Sequence, residues 1–312
     1  MRALLLLLLL TNHLAAQKIV TKHFNFQHRN REYIVFLPTG FSEDQKLPIY
    51  IVLHGNLSTD KGMMDYCGVN KIADTAKFIA VYPQGVSKSW ADGRGSTDAD
   101  EMHVDDVGFI SALIDTIVAN YHADVNRVYA SGISNGGFMV QRLLCELTNK
   151  IAAGASIGAE VVKTAPLFFG YDCPKPVMII HGTKDKYVPY AGGPVRGKNG
   201  GNGEDGYCFS ADSSVELWAA RNGCNGNYLT ENVADVNPRD DCTVIKKSYT
   251  NCDGQDNVIL YEIVNGGHSW PGGRSTVVTQ TLLGNTNQDI NAGAETWNFF
   301  KTKSLAICTV VH

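Results

Sequence analysis

The stretch that decides the fold is Val128-Tyr129-Ala130-Ser131-Gly132-Ile133-Ser134-Asn135-Gly136-Gly137-Phe138-Met139. It reads as a short buried strand, a sharp turn and the start of a helix. Ser134 sits at the centre of Gly-x-Ser-x-Gly. A serine thrown forward on a strand-to-helix turn takes a strained backbone, and its neighbours must approach it without Cβ atoms. That arrangement is a nucleophile elbow. A second copy of the pattern, Gly154-Ala155-Ser156-Ile157-Gly158, is equal by motif alone. Context separates the two. Ser134 follows the β-rich run Asn126-Arg127-Val128-Tyr129 and precedes a proline-free, helix-compatible run from Phe138 to Leu147. Ser156 follows alanines and leads into Glu160-Val161-Val162, neither a clear helix nor a clear elbow. Ser134 is therefore read as the nucleophile, and Ser156 as a small residue in a tightly packed strand or turn.

Outward from the elbow, strands and helices alternate. Thr21 to Phe26 and Glu32 to Pro38 read as an antiparallel hairpin. Pro48 to Leu53, Phe78 to Tyr82 and Pro176 to Ile180 are continuous apolar runs, which suit strands buried on both faces. Asn257 to Val264 is the last strand. Ile110, Leu113, Ile114, Ile117 and Val118 recur at helical spacing after the capping candidates Asp105 and Asp106. Further helices are expected around Ser214 to Arg221 and Asp289 to Lys301. The pattern implies an α/β class, a doubly wound, mostly parallel sheet with an N-terminal antiparallel hairpin. The glycine-rich stretch Gly192 to Gly206 reads as a surface excursion, a candidate lid.

In such sheets, sites form at the carboxyl ends of strands. His54-Gly55, Ser134, Asp185 and His268 all fall there. A serine hydroxyl needs a base to remove its proton during attack, and His268, on a glycine-rich loop late in the chain, is the candidate. The imidazolium that forms needs an orienting carboxylate, and Asp185 follows a strand in a tight turn. The chain order Ser134, Asp185, His268 is the nucleophile–acid–base order of this elbow architecture. An oxyanion needs two aimed donors. One is the backbone N–H of Asn135; the other comes from the His54-Gly55-Asn56 turn, at Asn56, with Leu57 as the alternative. His54 and His181 are expected to hydrogen-bond within their own turns. Trp90 and Trp270 are open between ordinary packing and walls of an acyl pocket. Asp92, Asp98, Asp100, Asp105 and Asp106 lack the Asp-x-Asp-x-Asp-Gly loop spacing, so no metal is expected.

The 312 residues carry a net charge of −4, which offers no basic field for nucleic acid. Met1-Arg2-Ala3, the leucine run Leu4 to Leu10 and Leu14-Ala15-Ala16 before Gln17 read as a secretory signal over residues 1–16. The apolar run is far short of the ~20 residues that span a bilayer. Residues 17–312 are then a soluble, secreted, single domain with no membrane association. The eight cysteines, an even number in such a chain, point to disulfides, and none lies in Cys-x-x-Cys. Asn56-Leu57-Ser58 matches the glycosylation pattern but lies on the oxyanion turn, so Asn56 is expected to be unmodified.

Tyr82-Pro83-Gln84-Gly85, Trp90, Val104-Asp105-Asp106-Val107-Gly108-Phe109-Ile110, the Ser134 elbow, His181-Gly182-Thr183-Lys184-Asp185 with Val188-Pro189-Tyr190, Trp218 with Asn222-Gly223-Cys224, and Gly266-Gly267-His268-Ser269-Trp270-Pro271-Gly272-Gly273 occur in one order. Together they resemble secreted feruloyl esterases of the first carbohydrate-esterase family and the related poly(3-hydroxybutyrate) depolymerase-like esterases. The resemblance implies an α/β-hydrolase fold, no cofactor, and hydrolysis of small-molecule or polysaccharide-linked esters. It implies Ser134, Asp185 and His268 as the triad, and a disulfide between Cys224 and Cys252. The insert Gly197 to Gly206 and Cys208 depart from the pattern, and Gly55-Asn56-Leu57 is not the glycine-rich oxyanion run of many lipases. The expected activity is a serine esterase on feruloyl–polysaccharide esters of plant cell walls. Depolymerisation of short-chain polyesters and deacetylation of xylan are the alternatives; a catalytically silent binding module is the alternative of a different class.

Overall fold

The computed structural model describes residues 16–164, 174–196, 204–225, 228–249, 252 and 257–305. The leader 1–16, apart from Ala16, lies outside the described residues, as do Cys173 and Cys308. Lys18–Phe26 (β1) and Arg29–Leu37 (β2) pair in register from Phe26↔Arg29 outward. The two residues between them, Gln27 and His28, both have positive φ, at 48° and 62°. That is the geometry of a type I′ turn, whose twist matches the strands it joins.

The parallel centre comes from Ile49–Leu53 (β3), Ile79–Pro83 (β4), Val128–Ile133 (β5), Ala153–Ile157 (β6), Val177–Gly182 (β7) and Val258–Val264 (β12). The first five are buried at every position. The cause is two covered faces. Ile49, Ile51 and Leu53 pack with Phe109, Leu113, Phe138, Leu143 and Trp218 on one side. Tyr50 and Val52 pack with Met63, Val69, Ala73, Trp297 and Phe300 on the other. The first layer is built by Asp106–Tyr121 (α4), Asn135–Glu146 (α5) and Ala211–Arg221 (α6); the second by Asp60–Cys67 (α1), Val69–Ala76 (α2) and Ala292–Phe300 (α8). A period of two within each strand therefore feeds two cores, and this makes the strands read as unbroken apolar runs.

The sheet has ten strands in the order β1-β2-β4-β3-β5-β6-β7-β12-β11-β10, where β10 is Leu229–Val233 and β11 is Thr243–Tyr249. This is the α/β-hydrolase architecture with an antiparallel border at each edge. The second border falls in the cysteine-bearing segment after Cys224, where no strands are expected from sequence. Leu229, Thr230, Glu231 and Asn232 are all exposed, so this edge strand lacks apolar alternation. The Gly192 to Gly206 excursion is also more regular than expected: Gly193–Arg196 (β8) and Glu204–Cys208 (β9) form a two-stranded antiparallel ribbon, with 197–203 outside the described residues.

The cysteines correct a second expectation. Cys224 and Cys252 form a disulfide. Cys67, Cys145, Cys208 and Cys242 are buried free thiols, so these four act as small core residues rather than as staples. Among the described residues no helix is long and apolar enough to cross a membrane.

Candidate active site

Ser134 lies one residue past β5, at φ 57° and ψ −125°, and its half-buried side chain starts α5. A non-glycine residue there costs on the order of 1–3 kcal/mol and persists only where its surroundings enforce it. The flanking glycines supply that enforcement. A Cβ on Gly132 would lie 2.4 Å from Gly136 O, and one on Gly136 would lie 2.5 Å from Leu53 O. The elbow can therefore fold back on itself and seat against β3 only with both positions bare.

Asp185 and His268 arrive from the ends of β7 and β12. His268 Nδ1 is 2.6 Å from Asp185 Oδ2. Asp185 Oδ1 accepts from the backbone N–H of Tyr187 (2.8 Å) and of Val188 (2.9 Å). Burial alone would raise the Asp185 pKa, but the His268 and His181 rings outweigh it and hold the carboxyl well below the usual range. The carboxylate is thus an acceptor only, and His268 Nδ1–H is the donor. Ser134 N–H donates to Ile157 O at 2.8 Å, which sets the serine beside Gly158. A Cβ on Gly158 would lie 3.2 Å from His268 Nδ1. Serine and imidazole are therefore neighbours across one bare glycine. Ser134 Oγ has no hydrogen-bond partner among the described residues, the loose geometry common in sites without substrate.

Among the described residues, two backbone N–H groups near Ser134 have no acceptor. Asn135 N–H is the first of α5 and has no intrahelical acceptor. In the His54-Gly55-Asn56 turn the Leu57 N–H is already donated to Lys88 O at 2.9 Å, which leaves Asn56 N–H. A Cβ on Gly55 would lie 3.4 Å from Ser134 Cβ, so that turn sits directly against the serine.

Trp90 and Trp270 resolve to packing. Both are fully buried and offer no face to a ligand. Trp90 Nε1–H donates to His54 O at 2.9 Å, and Trp270 N–H donates to Tyr66 Oη at 2.9 Å. Leu57, exposed, follows the turn that sits against Ser134, and the ring of half-buried Tyr187 lies 5.2 Å from that of His268. Beside them is helix α7 (Val277–Leu283), with Val277, Val278 and Leu282 exposed. Its last carbonyl, Leu283 O, accepts from His268 N–H at 2.6 Å.

The acidic residues near Trp90 are engaged by protein. Asp105 caps α4, accepting from Gly108 N–H at 2.8 Å; buried Asp106 pairs with Arg31 at 2.6 Å. Asp92 pairs with Arg94 and accepts from Asn135 Nδ2 at 2.6 Å. Asn135 Oδ1 also accepts from Trp90 N–H, so its side chain clamps the first turn of α5 to the 90–92 loop. Among the described residues no cluster of His, Cys, Asp and Glu is arranged to hold a metal ion. His54 is buried and neutral: burial lowers its pKa to about 4, and its Nε2 accepts from Gly85 N–H at 3.0 Å. Ser156 lies inside β6, where its hydroxyl donates to Ala159 O at 2.7 Å.

Sequence reasoning missed Gly158, Tyr187, the Asn135 side chain and Glu160. Glu160 carried a usable signal. It is the only charged residue in the run Ile151 to Val162, and a buried charge demands a partner.

The geometry has counterparts. Residues 31–165 match the family described as Esterase PHB depolymerase. Feruloyl esterase B of Piromyces equi is 30% identical over 250 residues, 77% of this chain and 42% of that protein. The bifunctional acetylxylan esterase/xylanase XynS20E of Neocallimastix patriciarum is 28% identical over 55% of this chain and 24% of its own length. The chain thus spans less than half of these two relatives. An acetyl xylan esterase from Aspergillus awamori superposes with a TM-score of 0.59 at 14% identity, covering 92% of this chain and 99% of that one, and shares the fold.

Proposed function

We propose that this chain is a secreted serine esterase that cleaves carboxylic esters through an acyl-enzyme. The observation that carries the reading is Ser134, strained outward on its elbow beside a His268–Asp185 pair closed at 2.6 Å. In the proposed cycle Ser134 Oγ attacks the ester carbonyl while His268 Nε2 takes its proton. Asp185 holds the ring and stabilises the imidazolium. Asn135 N–H and Asn56 N–H receive the oxyanion. His268 returns the proton to the leaving alcohol, and water then releases the acid by the same steps in reverse.

Feruloyl–polysaccharide esters are the favoured substrate class. The support is the Piromyces relative together with the apolar and aromatic rim of Leu57, Tyr187 and Leu282, which suits a planar aromatic acyl group. The family match and the exposed apolar helix α7 favour a second reading, a short-chain polyester such as poly(3-hydroxybutyrate). Secretion rests on the leucine run Leu4 to Leu10, and N-terminal sequencing that finds Met1 on the exported protein would refute it. Parallel hydrolysis of methyl ferulate, poly(3-hydroxybutyrate) and acetylated xylan, with Ser134→Ala as control, tests the substrate. Turnover of methyl ferulate alone is expected; turnover of the polyester alone would transfer the site to the second reading.

A further inference from the structure

Behind Asp185 lies a second charged pair that the proposed chemistry does not use. His181, the last-but-one residue of β7, is fully buried, and so is Glu160, which follows β6. His181 Nδ1 meets Glu160 Oε1 in an ion pair. His181 Nε2 is 2.9 Å from Val188 O and 3.3 Å from Asp185 Oδ2. A backbone carbonyl only accepts, so Nε2 carries a proton. Paired with Glu160 in its charged form, Nδ1 carries one too, and that pairing makes the ring an imidazolium. Asp185 Oδ2 thus stands between two imidazoles, His268 on the solvent side and His181 within.

We propose, resting on the esterase reading, that Glu160 is a positioning residue: it keeps His181 charged, and that cation holds Asp185 Oδ2 in line with His268 Nδ1. Burial works against a charged His181, but Glu160 and Asp185 outweigh it and raise the ring to about 10. Among the described residues, the surroundings add no rival partner. Tyr190 faces the His181 ring edge-on at 5.8 Å, and Cys208 faces Glu160 as a thiol held neutral by burial. Glu262, beside His181 in register, is balanced by Lys247 at 3.0 Å, and Lys247 in turn reaches Asp212 at 2.8 Å. Tyr187 faces His268.

The consequence concerns the proton on His268. In Glu160→Gln the His181 ring loses its first carboxylate and becomes neutral. Asp185 then faces His268 with no cation behind it and attracts the imidazolium more strongly. His268 must lose that proton to act as a base, so the acid limb of the reaction moves to higher pH.

The test is the rate of Ser134 labelling by a fluorophosphonate probe, followed against pH in the full chain. Glu160→Gln keeps the shape and removes the charge; Glu160→Asp keeps the charge and shortens the arm. The acid limb in Glu160→Gln is expected to rise by about one unit, so that the rate well down that limb falls about ten-fold. Glu160→Asp is expected to leave the limb in place. A Glu160→Gln profile that superimposes on the parent's would overturn the proposal. If Glu160→Gln fails to fold, nitrogen NMR of His181 in the parent protein decides. Two protonated ring nitrogens at about pH 8 support the pair, and a single one refutes it. A parent protein that never labels would instead defeat the esterase reading, while the NMR result would still judge the pair.

Discussion

Gly132-Ile133-Ser134-Asn135-Gly136 and Gly154-Ala155-Ser156-Ile157-Gly158 carry one pattern on neighbouring parallel strands, and they do different things. Register explains the difference. Gly132 pairs with Ser156, so the second serine lies two places deeper in the sheet than the first. Ser134 stands beyond the strand end, at positive φ and half-buried, its hydroxyl without a hydrogen-bond partner among the described residues. Ser156 lies within its strand, fully buried, with its hydroxyl donated to Ala159 O. The second copy still serves the site through its last residue. Gly158, at φ 57°, is the bare position against which His268 packs. A short motif thus fixes where backbones can approach; where the strand ends decides which side chain is presented.

The largest test of this contrast is the pair of alanine variants. Ser134→Ala should lower kcat by a factor on the order of 10⁴–10⁶, whereas Ser156→Ala should keep it within about two-fold. Comparable losses in both would break the comparison. Gly158→Ala comes next. Its new Cβ presses on the imidazole from a backbone that side chains rarely adopt, so kcat should fall roughly ten- to a hundred-fold with KM little changed. An unaltered rate would show that His268 does not rest there. For Ser156→Ala the cost should appear in stability instead, about 1 kcal/mol in urea titration, from the lost bond to Ala159 O.

The smallest effects separate the two His-Gly strand ends. His54, behind the first copy, is neutral with a pKa lowered to about 4 by burial. The unfolded chain protonates it first, so it costs stability as pH falls from about 6.5 through that value. His181, near the second copy, has its pKa raised by the Glu160 and Asp185 carboxylates despite burial, to about 10. Its contribution is complete below about 6.5 and is lost as pH rises through the folded value. Denaturation midpoints of His54→Gln should therefore fall less steeply on the acid side than those of the parent. An unchanged acid slope would place His54 in a more polar setting than its burial indicates.

Much of this was legible in the sequence because the physics is local. Continuous apolar runs marked β3, β4 and β7, the flanking glycines marked the elbow after β5, and chain order pointed to Asp185 and His268, which lie 2.6 Å apart; β6, with its alanines, glycine and serine, read equally as strand or turn. The edge strand β10 was not legible, since it exposes Leu229 to Asn232 and has no face to alternate against. The role of Trp90 was not legible either, because an indole at a loop reads alike as wall or as core until burial is known. Glu160 and His181 lie 21 residues apart in the chain. Only the pairing of β6 with β7 brings them together.

The most direct measurement is to treat the folded protein with a fluorophosphonate probe, digest it and locate the adduct by mass spectrometry. The expected result is one adduct, on the peptide holding Ser134, lost in Ser134→Ala and kept in Ser156→Ala. An adduct on another residue, or none on folded protein, would contradict the assignment of this elbow as the centre of an esterase.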